Sequence, residues 1–282
     1  MIMALLSLSY FLMPHGFADV VLPLHGVEFC QDSYFPNITE DWILYCDSQG
    51  KKDSLWLRSE RRRIELPESE YWLLGDQLFR VGVQGGAWNW KEERFEGSRI
   101  LLDPSEYSSF SGRAEKAAVM IATERRILFL DREQGKQFQT EANPIGWHPP
   151  VRVGDEIFWI EWSGSEQEIA VWNWKTNQRK SIQASEPLFL VASGHYLAWI
   201  ERRNIVILDW NRKKERRITA QAQKGISLLD DRVCWSEQGT NDFDIHCSDG
   251  FHLQRKGDQF WPIQLQDGLF FREKEELMWL KY

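Results

Sequence analysis

The feature that most constrains the fold is a repeat that runs along the chain. Its clearest copies begin at Pro150 and Pro187, and each copy consists of four short strand-like segments separated by turns. In both copies the second segment ends in Trp-Ile-Glu, and a basic turn follows the third. The template is about 35 residues long, which is the size of one supersecondary unit rather than of a domain.

One residue in the second strand of each copy marks the repeat, and these markers are about 38 residues apart on average. The markers are Tyr45, Phe79, Ile121, Trp159, Trp199, Trp235 and Phe271. Four strands per unit at this period are typical of a β-propeller, and no segment keeps a helical period. The sequence therefore predicts an all-β propeller of seven four-stranded antiparallel blades. Six blades are the alternative, because the copy from Glu115 is the weakest.

The two ends of the chain are expected to meet in one sheet. The last copy begins at Trp261 and stops after its third strand, at Tyr282. The strand-like segment from Asp19 precedes the first full copy and belongs to none. We expect this N-terminal strand to complete the C-terminal blade and close the ring. Residues 19–282 would then form a single propeller domain.

Residues 1–18 are predicted to be a secretory signal peptide. Ile2–Met13 is a short apolar run, and Gly16 and Ala18 place small residues before a cleavage site at Asp19. The run is too short to span a bilayer as a helix. A buried N-terminal strand or helix is the alternative. We expect a periplasmic or extracellular protein that does not span the membrane.

The four cysteines form two pairs that are local in sequence, Cys30 with Cys46 and Cys234 with Cys247. Disulfides are the natural state in an exported chain. Cys234 and Cys247 would face each other across a hairpin, and a Cys30–Cys46 bond would fasten the closing strand to the first blade. Four buried thiols in a reducing compartment are the alternative. No cysteine or histidine set has zinc-site spacing, so we predict no metal and no cofactor.

Composition limits the classes of partner. The net charge of −8 argues against a nucleic-acid-binding protein, which would present a basic stripe to phosphates. The basic runs 58–63 and 211–217 lie between strand-like segments and are predicted to be solvated hairpin turns. Trp-Asn-Trp occurs twice, at 88–90 and 172–174, where the third strand ends. We interpret these tryptophans as packing between blades rather than as a ligand platform.

An acid follows the marker in five copies. The positions are Asp47, Glu161, Glu201, Glu237 and Glu273. Together they could form a cation site or an acidic docking face on one side of the disc. The favoured interpretation is that each acid serves its own blade, keeps the turn soluble and pairs with a nearby cation. The candidate cations are Arg202, Arg203 and Arg272.

Signatures of catalysis are missing from the sequence. No His-Glu-x-x-His and no Gly-x-Ser-x-Gly occurs, and the six histidines are scattered. Channel carboxylates of a carbohydrate-active enzyme or glycan-binding protein are the alternative. The candidates are Asp41, Asp76, Asp155, Asp231 and Asp267. All of them adjoin turns, where aspartate is common without catalysis. We therefore expect a protein that is not an enzyme.

The two copies over Pro150–Thr219 resemble the repeats of TolB-like propellers and of related propellers in secreted surface proteins. The shared pattern is Pro-x-x-x-Gly-Asp-x-Ile-x-Trp, followed by an isoleucine-containing strand and a basic turn. This resemblance implies a periplasmic or extracellular module that binds proteins, or sometimes glycans. We expect a monomer that acts as a scaffold and binds a protein partner with one face of the disc.

Overall fold

The computed structural model describes the strands that lie between residues 19 and 115, and residues 118–281 apart from 132–133, 146–147 and 274–275. The regular elements in these residues are β-strands, which form seven antiparallel sheets. The predicted all-β class is therefore confirmed. Residues 1–18, the predicted signal peptide, lie outside the described residues. No helix that could cross a membrane is found in the described part of the chain.

The sheets follow one another in chain order, and each contains strands that are consecutive in sequence. The chain starts with β1 (Asp19–Val21), which joins the last sheet. Sheet 1 contains β2 (Val27–Glu28), β3 (Asn37–Ile38), β4 (Trp42–Asp47), β5 (Asp53–Leu57) and β6 (Arg62–Glu65). Sheet 2 contains β7 (Tyr71–Leu74), β8 (Gln77–Arg80), β9 (Gly86–Asn89) and β10 (Arg94–Gly97). Sheet 3 contains β11 (Ser111–Glu115), β12 (Ala118–Ala122), β13 (Arg126–Asp131) and β14 (Lys136–Glu141).

The C-terminal sheets have longer strands. Sheet 4 contains β15 (Val151–Val153), β16 (Glu156–Ser163), β17 (Glu166–Asn173) and β18 (Gln178–Ile182). Sheet 5 contains β19 (Pro187–Ser193), β20 (Tyr196–Glu201), β21 (Asn204–Asp209) and β22 (Lys214–Thr219). Sheet 6 contains β23 (Ala222–Leu229), β24 (Arg232–Gln238), β25 (Phe243–Cys247) and β26 (His252–Leu253). Sheet 7 contains β27 (Gln259–Leu265), β28 (Gly268–Glu273), β29 (Glu276–Lys281) and β1.

The second strand of every sheet carries one of the seven marker residues. These strands are β4, β8, β12, β16, β20, β24 and β28. Sheet 1 departs from the expected four strands because β3 has only two residues and pairs with Ile43 and Leu44. The far end of β4, at Cys46 and Asp47, is left to pair with the additional strand β2. In sheet 7, β1 pairs antiparallel with β29.

Sheets 3 to 7 pack face to face through side chains that alternate along each strand. In β16, Ile157 and Trp159 belong to an apolar cluster shared with sheet 3. The intervening residues Phe158 and Ile160 belong to a cluster shared with sheet 5. Successive side chains of a strand point to opposite faces, so one strand fills two interfaces. Sheet 4 is therefore buried on both faces, and all four side chains have no exposed surface.

The tryptophans at the end of the third strand take part in this packing. Trp172 and Trp174 lie in the cluster between sheets 3 and 4, and the Trp174 ring centroid is 4.7 Å from that of Phe129. Trp210 occupies the matching place in sheet 5 and meets Phe158 edge-on, with the centroids 4.9 Å apart. The packing interpretation is thus confirmed for Trp172 and Trp174. The side chains of Trp88 and Trp90 lie outside the described residues.

The first strands of sheets 5, 6 and 7 share an irregularity. The register of each strand shifts, and the shifted segments contain Phe189, Gly225 and Trp261, all with positive φ. Phe189 and Trp261 contact edge-to-face at 5.9 Å between centroids. Positive φ is strained for bulky aromatic residues, whereas glycine adopts it at little cost. The aromatic contact therefore lies at a place where the repeat bends its strands.

A disulfide joins Cys234 in β24 to Cys247 in β25, its direct cross-strand partner. Both cysteines are buried in the cluster between sheets 6 and 7. The bond therefore crosses the hairpin that the sequence analysis expected it to cross. Cys30 and the side chain of Cys46 lie outside the described residues, so the second expected bond remains a prediction.

Candidate functional site

The acid that follows the marker accepts a hydrogen bond from the marker tryptophan itself. Trp159 Nε1 donates to Glu161 Oε2 at 2.8 Å, and Trp235 Nε1 donates to Glu237 Oε2 at 2.8 Å. The corresponding distance from Trp199 to Glu201 is 3.4 Å. Residues two apart in a strand share one face, which brings each indole to its carboxylate. The acid at these three markers therefore satisfies the polar edge of a buried tryptophan.

Arginines on the outer strands complete two of these pairs. Arg179 in β18 forms a salt bridge with Glu161, and Arg217 in β22 lies 3.5 Å from Glu201. Glu161 is 2% exposed and also accepts from the backbone N–H of Asn143 at 3.3 Å. The pairing with a turn arginine that we expected is therefore wrong for Glu201, since the fourth strand of the sheet provides the cation.

The other two acidic positions, Asp47 and Glu273, give less information on whether the acids form one cation site or docking face. Glu273 pairs with Arg255, with Arg255 Nε 3.1 Å from Glu273 Oε2. Arg255 follows β26 of sheet 6, so here too the cation comes from outside the turn that follows the second strand. The side chain of Asp47 lies outside the described residues. Where the acids are described, each one pairs within or beside its own sheet.

The aspartates near the first turn of each sheet behave as turn residues where they are described. Asp155, between β15 and β16, forms a salt bridge of 2.9 Å with Lys175, and both side chains are about half exposed. Asp231 is exposed, and its carbonyl accepts a hydrogen bond from Arg216 at 2.9 Å. Asp267 lies between β27 and β28. Asp41 and Asp76 lie outside the described residues.

One edge of sheets 4 to 6 carries an exposed aromatic ring. We define the second-strand face as Trp162 together with the turns at the ends of β16, β20 and β24, which are residues 163–166, 201–204 and 238–243. Trp162 lies at this face and is 44% exposed. Among the described residues it is the one large hydrophobic residue with more than about a third of its surface exposed. Its backbone N–H donates to the carbonyl of Asn143 at 3.1 Å. The ring therefore projects from a fixed backbone next to the buried Glu161.

Sheet 6 gathers a second group of polar side chains at its outer strands. Asp244 and His246 lie two residues apart in β25, and His252 in β26 is the direct partner of His246. The two imidazoles stack with their centroids 4.3 Å apart and their planes 13° apart. His252 Nε2 is 3.6 Å from Asp244 Oδ2. One ligating atom from each of the three residues lies within 4.8 Å of the others.

The environment of this group favours the neutral form of His246 by lowering its pKa. The His246 ring stacks on Trp235, with 5.9 Å between centroids. Burial lowers the pKa of His246 below its usual 6.5 and the neighbouring His252 lowers it further, while Glu237 and Asp244 act in the opposite direction. A neutral imidazole has a free nitrogen lone pair, which is the form that accepts a proton or binds a metal. The group cannot be recognised from spacing along the chain, because His246 and His252 become neighbours only through the register of β25 and β26.

Four-stranded antiparallel sheets that pack face to face in chain order are typical of a β-propeller. The sequence matches no protein-family model and no curated protein. Solved structures, in contrast, resemble the chain over most of its length. The β-propeller domain of the Trilobed protease from Pyrococcus furiosus matches 90% of this chain and 93% of that domain, with TM-score 0.62 and 11% identity.

Two further structures show the same likeness. The match to BamB from Moraxella catarrhalis covers 91% of this chain and 84% of the BamB chain, with TM-score 0.53 and 11% identity. A chain of the Mitotic Checkpoint Complex covers 94% of this chain with 91% of its own, with TM-score 0.57 and 9% identity. At such low identity the likeness shows the fold alone. The β-propeller prediction is thus confirmed as a fold.

Proposed function

We propose that each of the seven sheets is one blade of a seven-bladed propeller of the TolB-like kind. The pairing of β1 with β29 supports a ring that is closed by the two chain ends. We further propose that residues 1–18 are a signal peptide and that residues 19–282 form the secreted or periplasmic domain. The Cys234–Cys247 disulfide supports this location, since such bonds persist in oxidising compartments. Sequencing of the mature N-terminus should find Asp19 first.

We propose that the protein is a monomeric, non-enzymatic scaffold that binds another protein with its second-strand face. The observation that carries this proposal is the exposed Trp162 ring on that face. Tryptophan is strongly enriched among the residues that dominate binding energy at protein interfaces. Arg202 and Arg203 are exposed in the adjacent turn of sheet 5 and supply a polar rim. The similar chain of the Mitotic Checkpoint Complex belongs to a protein assembly.

The absence of catalysis is also a proposal. Asp155, a candidate for a channel carboxylate, is paired with Lys175 and exposed in a turn. A glycosidase acid instead needs a buried environment that raises its pKa and a second carboxylate on the other side of the bond to be cleaved. A glycoside panel tests this point. Turnover that is lost in Asp155→Asn would overturn the non-enzymatic proposal.

The binding proposal is tested by affinity capture from the periplasmic or extracellular fraction of the source organism. The full chain serves as bait beside Trp162→Ala and the control Lys175→Ala, an exposed substitution away from the second-strand face. We expect one partner to be captured by the wild type and the control. Loss of a hot-spot tryptophan should weaken its binding about 30-fold, from about 2 kcal/mol. Equal capture by Trp162→Ala would contradict the proposed face.

A further inference from the structure

Sheet 6 departs from the repeat at the place where its two imidazoles meet. In each sheet the marker has a direct partner in the third strand. These partners are Ser54, Ala87, Leu128, Ala170, Val206, His246 and Met278. Six of them are small or apolar, which suits a position buried between sheets. The repeat therefore does not require an imidazole there, and His246 needs another explanation.

The cross-strand partner of His246 departs in the same way. In sheet 5, Val206 pairs with Arg217, whereas in sheet 6 the corresponding pair is His246 with His252. Asp244 lies opposite the acid of the second strand, where sheets 4 and 7 also have an acid and sheet 5 has Asn204. The two histidines are therefore the departures from sheet 5, and each stands where sheet 5 has a residue that does not bind metal ions. Together with Asp244 they place three ligating side chains on one face of adjacent strands.

We propose that Asp244, His246 and His252 bind one zinc ion. Two imidazole nitrogens and a carboxylate oxygen form a ligand set that zinc commonly takes, with the fourth position left to water or to another ligand. Imidazole ligands favour zinc and related transition metals, whereas calcium and magnesium prefer all-oxygen sites. Within the described residues, this is the one group of three such side chains whose ligating atoms converge.

The distances are close to those that zinc requires. Metal–ligand bonds of 2.0–2.2 Å in a tetrahedron separate the ligating atoms by about 3.4 Å. His252 Nε2 already lies 3.6 Å from Asp244 Oδ2, and the three atoms lie within 4.8 Å of one another. The His252 side chain is 43% exposed, so it can rotate toward the ion without disturbing the core. Rotation of the His252 ring out of its stack on His246 would let both imidazole nitrogens point at one ion and complete the site.

The burial of Asp244 is a second, independent observation. Its side chain is 6% exposed, and of the described side chains His252 is its one ion-pair partner, at 3.6 Å. This distance exceeds that of a hydrogen bond, so His252 does not hold the carboxylate by a direct hydrogen bond. A divalent cation between Asp244 and the imidazoles would bring an opposite charge closer to this carboxylate.

The surroundings hold the carboxylate and one ring in place. A Cβ atom built on Gly239 would lie 2.7 Å from Asp244 Oδ2, so the glycine leaves room for the carboxylate at this position. Trp235 stacks on His246 and itself donates to Glu237, which limits rotation of the imidazole. Such neighbours orient metal ligands in advance. The bound ion would fasten the two-residue strand β26 to β25.

Zinc titration of the full chain tests the proposal. The metal-free protein competes with a chromophoric chelator for Zn²⁺, and the metal bound after dialysis is counted. We expect one zinc ion per wild-type chain, with a higher melting temperature when it is bound. His252→Ala and Asp244→Asn should each weaken zinc binding more than about tenfold. Loss of a residue that only orients a ligand already lowers metal affinity by about tenfold or more, and these two residues are ligands themselves.

The control is His195→Ala. His195 Nε2 lies 3.8 Å from Asp209 Oδ2, which resembles the pair of His252 and Asp244. The His195 side chain is 43% exposed, as is that of His252. The wild-type zinc affinity and the rise in melting temperature should persist in His195→Ala. Absence of stoichiometric zinc in the wild type, unchanged affinity in both His252→Ala and Asp244→Asn, or equal binding of calcium would each overturn the proposal. His252→Ala remains decisive if Asp244→Asn fails to fold.

Discussion

Trp159 and Glu161 are two residues apart in β16, and the Trp159 indole donates a hydrogen bond of 2.8 Å to the Glu161 carboxylate. Arg179 lies over the Trp159 ring, 5.2 Å from its centroid, and pairs with the same carboxylate. The three side chains thus form one unit that joins the second strand of sheet 4 to its outer strand. Trp199, Glu201 and Arg217 bring together the same residue types in sheet 5.

Glu161→Gln should destabilise the protein. Glutamine keeps an acceptor for the Trp159 indole but removes the negative charge that pairs with Arg179. Glu161 is only 2% exposed, so water cannot replace the lost ion pair. We expect a loss of about 2 kcal/mol in the free energy of unfolding, measured by urea denaturation. The control is Glu166→Gln, which alters an exposed glutamate at the start of β17 and should stay within about 0.5 kcal/mol. Equal stability of the two variants would contradict the role of Glu161.

The sequence was sufficient to predict the sheets because their determinants are local. Uninterrupted apolar runs around Trp159 and Trp199 specify strands that are buried on both faces, and the period between them specifies the repeating four-stranded unit. The pairing of β1 with β29 was predictable because the last copy of the repeat has only three strands and the segment from Asp19 belongs to no copy.

The parts that were not predicted depend on where strands lie relative to one another. Arg179 and His252 gain their partners through cross-strand register, which spacing along the chain does not reveal. A usable signal was present for His246, because it aligns with apolar residues in the neighbouring copies. The bends in β19, β23 and β27 were also missed, since Phe189 and Trp261 take positive φ against their intrinsic preference.

The disulfide in sheet 6 should contribute measurably to stability. The two cysteines are 13 residues apart, and closing a loop of this size is worth about 3 kcal/mol in the chain-entropy model. The double variant Cys234→Ala/Cys247→Ala should lose about that amount in urea denaturation. Wild-type protein kept in reducing buffer provides the comparison and should lose at least as much stability, because reduction also breaks the predicted Cys30–Cys46 bond. An unchanged denaturation midpoint in both would show that the bond does not stabilise the sheet.

Gly225→Ala should destabilise the protein more than Gly250→Ala. The two glycines have nearly the same φ, 88° and 90°, so both substitutions strain the backbone equally. A Cβ on Gly225 would lie 2.7 Å from the Trp261 ring, whereas one on Gly250 meets nothing within 4 Å. Strain alone costs about 1 kcal/mol, and overpacking adds about 1–3 kcal/mol for Gly225→Ala. Thermal unfolding of both variants measures the difference. Equal losses would indicate that Trp261 moves aside freely.

His148 should make stability fall in mild acid. The side chain is buried beside Phe189, 5.9 Å between ring centroids, and burial lowers its pKa from 6.5 to about 3. The unfolded chain therefore takes up a proton as pH falls through 6.5, whereas the folded chain resists protonation until about pH 3. Stability due to the neutral imidazole is complete above pH 6.5 and is lost progressively between pH 6.5 and 3.

The variant His148→Leu isolates this contribution from the carboxylates that also titrate in acid. Between pH 7.5 and 4.5 the wild type should lose about 3 kcal/mol more than the variant, because protonation of the unfolded state gains about 1.4 kcal/mol per pH unit below 6.5. Urea denaturation at both pH values measures the two losses. The carboxylates titrate in the same way in both proteins, so they contribute equally to both losses. The additional loss of unfolding free energy in the wild type is therefore due to His148. Parallel losses in wild type and variant would mean that the imidazole is protonated in the folded state and reaches solvent.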